Sequence, residues 1–96
     1  MPYATRLGDL STGHDACAPT ELVTASENVF INGKGAGRLG DRYASHGCPV
    51  HPPHQDTIKE GSGTVFINGL PVARVGDNIL IAGSVAVGSE NVIVGD

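Results

Sequence analysis

An all-β domain assembled from three similar short units is the fold this sequence predicts, and three observations predict it. The dipeptide Asn-Gly stands twice, at 32–33 and 68–69, between aliphatic and aromatic β-formers. The tetrapeptide Arg-aliphatic-Gly-Asp stands three times, as Arg6-Leu7-Gly8-Asp9, Arg38-Leu39-Gly40-Asp41 and Arg74-Val75-Gly76-Asp77. Apolar residues nowhere sustain the 3.6-residue period of an amphipathic helix; residues 20–25 have room for a single helical turn.

Each repeat carries its own secondary-structure signals. A companion motif follows each Arg-x-Gly-Asp: Ser26-Glu27-Asn28-Val29-Phe30-Ile31-Asn32-Gly33, Ser62-Gly63-Thr64-Val65-Phe66-Ile67-Asn68-Gly69, and the shorter Ser89-Glu90-Asn91-Val92-Ile93-Val94-Gly95. Asn-Gly between apolar β-formers predicts a β-hairpin with a type I′ turn, which needs φ > 0 at both central positions. In the second hairpin Ile67 should then pair with Leu70 and Phe66 with Pro71. Proline is acceptable there, because its missing N–H would have pointed away from the partner strand. Gly8, Gly40 and Gly76, each just before an aspartate, mark a sharp bend of unusual φ. Val29, Ile31, Val65, Ile67, Val92 and Val94 occupy equivalent strand positions; they are expected in the core, with a contact to a partner as the alternative. The Arg and Asp residues are expected to pair between repeats or to face a partner, in a structural role.

Composition sets the limits. The 96 residues make one domain, 1–96, which buries only about two thirds of its unfolded surface. Two Phe, two Tyr and no Trp leave little large apolar surface, so an additional staple is expected. A net charge of −4 with scattered basic residues provides no footprint for nucleic acid. The segment MPYATRLGDL lacks a basic stretch followed by an apolar run, so a chain made in the cytoplasm without a signal peptide is expected. Two cysteines form no disulfide framework, although Cys17 with Cys48 is open to a chain exported by another route.

The staple has a candidate. Residues 41–55, DRYASHGCPVHPPHQ, hold three of the four histidines and one of the two cysteines, and imidazole and thiolate are the ligands tetrahedral zinc prefers. Prolines 49, 52 and 53 stiffen this loop and exclude helix. The plainer reading is a set of solvated loop histidines. His14 follows Asp9 by the same interval as His46 follows Asp41, whereas the third repeat has Ala82 there. Three units about a pseudo-threefold axis would bring His14 and His46 together. The best ligand set is therefore His14, His46, Cys48 and His54, with His51 and Cys17 in reserve. His51 and His54 compete for the fourth position across Pro52-Pro53. Iron is compatible with the same ligand types.

The combination of Ser-x-x-Val-x-Ile-Asn-Gly with Pro71-Val72-Ala73-Arg74-Val75-Gly76-Asp77 resembles the PAAR-repeat family, named for a proline-alanine-alanine-arginine motif. Val72 departs from that motif; the first repeat reads Gly35-Ala36-Gly37-Arg38, and the N-terminal unit keeps only Arg6-Leu7-Gly8-Asp9. The resemblance implies a small cone of three β units. Its base docks, one copy per trimer, on the trimeric spike protein of a contractile injection machine: a valine-glycine-repeat (VgrG-like) protein in type VI secretion, or a phage tail spike. It also implies structural zinc near the tip on three histidines and one cysteine, which here are His14, His46, Cys48 and His54. The expected role is a spear-point delivered outward, touching the target membrane transiently. No appended domain and no toxin are expected within these residues.

Two other classes compete. A small zinc metallohydrolase would need an open coordination position and a general base such as Asp15 or Glu60. No HExxH-type pattern supports it, and no enzyme activity is expected. A metal store would exchange its ion readily.

Overall fold

Positive φ at both residues of each Asn-Gly pair builds the two predicted hairpins: 53° and 80° at Asn32 and Gly33, 55° and 78° at Asn68 and Gly69. Asparagine and glycine enter this left-handed region at least cost, and the resulting turn matches the twist of paired strands. Around the first turn β1 (Phe30–Ile31) returns as β2 (Lys34–Gly35). Between the two hairpins lie β3 (His46–Cys48) and β4 (His51–His54). Around the second turn β5 (Phe66–Ile67) returns as β6 (Leu70–Pro71). Ile67 faces Leu70 and Phe66 faces Pro71, the predicted register. The structure, a computed structural model, describes residues 2–13, 17–48, 51–80 and 82–95, with the backbone alone for 46–48 and 51–54.

Among the described residues there is no helix. Residues 20–25, read as a possible helical turn, instead run extended: Glu21 pairs with Leu10, and Leu22 with Tyr43. Their backbone groups are already engaged with neighbouring segments. The Thr20 carbonyl accepts from the Ser11 N–H and the Leu22 N–H donates to the Asp9 carbonyl, both at 2.9 Å, so no i→i−4 ladder can form. The proline-stiffened loop is also corrected. It forms a hairpin, β3–β4, with a register shift between His46 and Cys48. Pro52 and Pro53 fit β4 because one of them faces the free edge and both stand opposite the single Gly47 at the register shift, where ladder pairing is already interrupted.

The three repeats are joined end to end by single pairs. Arg6 pairs with Ala36, Arg38 with Val72, and Arg74 returns to Ala4. One layer in, the Gly37 N–H donates to the Thr5 carbonyl at 3.0 Å, Ala73 to Gly37 at 3.0 Å, and Thr5 to Ala73 at 3.2 Å. These bonds form a closed circle with no open edge, so no strand here is left as a template for aggregation. Such close approach of three backbones requires small residues. A Cβ on Gly37 would lie 2.7 Å from Thr5 Cγ2 and 3.0 Å from Leu22 Cδ2.

Two small cores flank this circle. One gathers Leu22, Tyr43, Ile58, Ile79, Val85 and Ala73; its members pair across repeats as Leu22 with Tyr43 and Ile58 with Ile79, while Val85 pairs with Ser11. The other gathers Ala4, Ala36, Val72, Ile31 and Val94, with Ile67 and Val92 half-buried against it. The domain is elongated, 37 × 24 × 23 Å.

Candidate metal centre and docking face

Each Arg-x-Gly-Asp unit is a closed clamp. The Asp9 carboxylate accepts from Arg6 Nε at 2.9 Å, from Arg6 Nη2 at 3.1 Å and from the Arg6 backbone N–H at 2.9 Å. Asp41 and Arg38 repeat the pattern at 3.0, 3.1 and 2.7 Å, and Asp77 and Arg74 at 3.1, 2.7 and 2.8 Å. The turn between them needs positive φ at the glycine, found at Gly8 (89°), Gly40 (92°) and Gly76 (97°). The pairs lie within repeats, not between them as expected, because the glycine turn folds the carboxylate back onto the fork of the arginine three residues earlier. Bidentate geometry and buried aspartates make these pairs stronger than ordinary surface ion pairs. The hydrogen bond to Asp9 raises the Arg6 guanidinium above its ordinary value, and Asp41 does the same for Arg38.

The arginines link repeats by their remaining nitrogens. Arg6 Nη1 reaches Asn32 Oδ1 at 3.1 Å and Arg38 Nη1 reaches Asn68 Oδ1 at 3.0 Å. The same two oxygens accept from hydroxyls of other repeats: Ser89 Oγ at 2.6 Å on Asn32, and Ser26 Oγ at 2.7 Å on Asn68. Each of these serines also caps its own turn, Ser26 accepting from the Val29 N–H at 3.0 Å and Ser89 from the Val92 N–H at 2.9 Å. Sequence reasoning used Asn32 and Asn68 only as turn formers. The serine heading each companion motif was the signal that their side chains have partners.

One apolar side chain per repeat stands out from this frame. Phe30, Phe66 and Ile93 fill the same motif position and are 61%, 55% and 52% exposed. Val29 and Val65 beside them are also exposed, whereas Ile31 and Val94 are buried. The six aliphatics expected in the core therefore divide, and strand alternation accounts only for the outward Phe30, Phe66 and Ile93 beside the inward Ile31, Ile67 and Val94. Ile31, Ile67, Val92 and Val94 pack inward, and Val29 and Val65 face out. Three large apolar residues more than half exposed thus stand at matched motif positions.

The candidate metal ligands concentrate on β3 and β4. His46 and His54 are direct cross-strand partners, and Cys48 is opposite His51. The ladder thus brings three histidines and one cysteine onto two adjacent short strands, and imidazole with a reduced cysteine thiolate is the donor chemistry of a zinc site. The side chains of His46, Cys48, His51 and His54 lie outside the described residues, as do His14 and Asp15. Among the described residues, no three His, Cys, Asp or Glu side chains gather as a metal site. Cys17 is buried and disulfide-bonded. Glu60, the other candidate general base, accepts from the Asn78 N–H at 2.8 Å in an exposed position.

Comparison with known proteins decides the family. A family model described as PAAR motif matches residues 12–87. The chain belongs to that family. Among curated relatives, this PAAR-family chain is 38% identical over 79 residues to the NAD(P)(+) glycohydrolase toxin Tse6 of Pseudomonas aeruginosa strain PAO1, covering 77% of the chain and 18% of the toxin. It matches the (p)ppApp synthetase toxin Tas1 of Pseudomonas aeruginosa strain UCBPP-PA14 to the same extent. The chain therefore spans less than a fifth of the length of these relatives.

Proposed function

We propose that this PAAR-family chain is a structural tip that caps the trimeric central spike of a contractile injection machine, of the type VI secretion kind. The observation that carries the reading is the closed circle through Thr5, Gly37 and Ala73. It supports a pseudo-threefold reading of the domain, in which a single chain offers similar groups in three directions and can match a true threefold trimer. Phe30, Phe66 and Ile93, one per repeat, are the docking contacts, each meeting one spike subunit. The two toxin relatives favour a delivery machine over a free-standing enzyme, and the work of this chain is mechanical. It seals the spike, leads it through the target envelope, and is carried outward with it.

The opposite task, ordering the tip, falls to His14, His46, Cys48 and His54, with His51 as the substitute fourth ligand. A zinc ion held there supplies a closed structural cross-link, worth on the order of 10 kcal/mol in small domains. The protein's part is to hold β3 against β4 so that His46 and His54 stand side by side, and to leave no coordination position for water.

Mixing the protein with its cognate trimeric spike and weighing the complex tests the docking. One chain per trimer is expected, and Phe30→Ser with Phe66→Ser should abolish the complex while leaving the fold intact. Three chains per trimer, or binding indifferent to both substitutions, overturns it.

A further inference from the structure

Cys17 has a bond that the metal reading does not use. Its side chain is buried and disulfide-bonded, and the chain holds one other cysteine, Cys48. Cys48 belongs to β3, two residues after His46 and opposite His51. Metal ligation requires a cysteine thiolate. A sulfur committed to a disulfide is not one, so Cys48 serves Cys17 or a metal, one at a time.

We propose that Cys17 and Cys48 are a redox-controlled pair whose disulfide exchanges with the metal as the staple of β3. The inference rests on the metal-ligand reading given above. In the reduced protein Cys17 is a thiol and the Cys48 thiolate joins the imidazoles around zinc. In the oxidised protein the disulfide ties residue 17 to residue 48, and zinc leaves with its thiolate ligand gone. The oxidant is a small disulfide such as oxidised glutathione. One protein thiolate attacks a glutathione sulfur, breaking that S–S bond and releasing the first glutathione thiolate. The second protein sulfur, having lost its proton, attacks the mixed disulfide and releases the second. Both protein sulfurs are oxidised and two glutathione thiols are formed; one proton comes from Cys17 and one from solvent.

The exchange suits a chain that moves between compartments. Thiols persist in reducing cytoplasm, and disulfides persist outside it. The tie between β3 and the segment of His14 and Cys17 then survives passage: a metal cross-link through His14 where thiols are stable, a covalent closure through Cys17 where they are not. The burial of Cys17 in the disulfide-bonded state keeps that bond away from other proteins' thiols.

The test uses the full chain, fully reduced and loaded with zinc chloride, then titrated with oxidised glutathione while bound zinc, free thiols and intact mass are followed together. Zinc should fall from one equivalent to background in step with the loss of both thiols, and the mass should drop by two hydrogens. Cys17→Ala should keep its zinc at the glutathione ratio that empties the wild type, with Cys17→Ser as the second variant should Ala fail to fold. Zinc retained by protein whose disulfide has formed overturns the exchange and leaves the metal reading standing. Both thiols surviving excess oxidant, or zinc lost equally from the variant, also overturns it. A reduced protein that takes up no zinc removes the metal reading, and the exchange with it.

Discussion

Asn68, at the tip of the second hairpin, accepts a 2.7 Å hydrogen bond from Ser26 Oγ, forty-two residues earlier in the chain. The turn of one repeat is thereby fastened to the serine that heads the companion motif of another. Asn68→Gly keeps the backbone able to adopt positive φ but removes these side-chain bonds, which include 2.9 Å to Asn28 and 3.0 Å to Arg38. The expected loss is about 1–3 kcal/mol in urea unfolding, the scale of losing several partly exposed hydrogen bonds together. No loss would mean that the asparagine serves only its turn.

Gly37 sits where three backbones meet, and the tightest contact of an added methyl group is with one identifiable atom. Gly37→Ala should cost about 1–3 kcal/mol through overpacking, since its Cβ would meet Thr5 Cγ2 at 2.7 Å. Thr5→Ser deletes that atom and keeps the hydroxyl that donates to the Val87 carbonyl. The double variant should recover part of the loss, and a double-mutant cycle measures how much. Strict additivity would place the clash elsewhere.

Tyr43 is fully buried, and its hydroxyl has no partner among the described residues. Tyr43→Phe should therefore leave stability at neutral pH unchanged or raise it by up to about 1 kcal/mol. Burial, with the charges of Asp9 and Asp77, pushes the phenol far above its ordinary value of 10.0. The folded state keeps its proton while the unfolded state releases it, so this contribution is complete below pH 10 and is lost as pH rises from there. The wild type should weaken relative to the variant between about pH 9 and pH 11, as followed by chemical denaturation. A variant that loses more than about 2 kcal/mol at neutral pH would mean the hydroxyl is bonded.

His46 tests the metal set. His46→Ala should remove zinc from the purified reduced protein and free the β3–β4 hairpin to exchange its amide protons, since isolated two-stranded ladders are marginal in water. Elemental analysis that finds unchanged zinc would remove His46 from the ligands.

Much of the frame was legible because it is written in local chemistry. Asn-Gly between β-formers specified both hairpins and the Phe66–Pro71 register, and Gly8, Gly40 and Gly76 announced the positive φ they adopt. The circle through Thr5, Gly37 and Ala73 was not legible, because its contacts are single pairs between distant residues and leave no strand-length pattern. The Arg–Asp clamps were misplaced for a related reason: spacing showed that the residues recur, but only the folded turn shows each aspartate reaching its own arginine. In residues 41–55 the density of imidazoles was plain, yet two prolines in a row hid β4, since proline ordinarily argues against a strand. The outward position of Phe30, Phe66 and Ile93 followed from alternation, once the inward turn of Ile31 fixed which side was which.

Tyr3 pairs with Ile93 and the Val94 N–H donates to the Pro2 carbonyl at 2.9 Å, so the first and last described segments lie side by side. Polypeptide continuing from either one departs from nearly the same place, as two ropes leave one cleat. A load drawn through such an extension falls first on this pairing, which joins the segments farthest apart in sequence by hydrogen bonds alone.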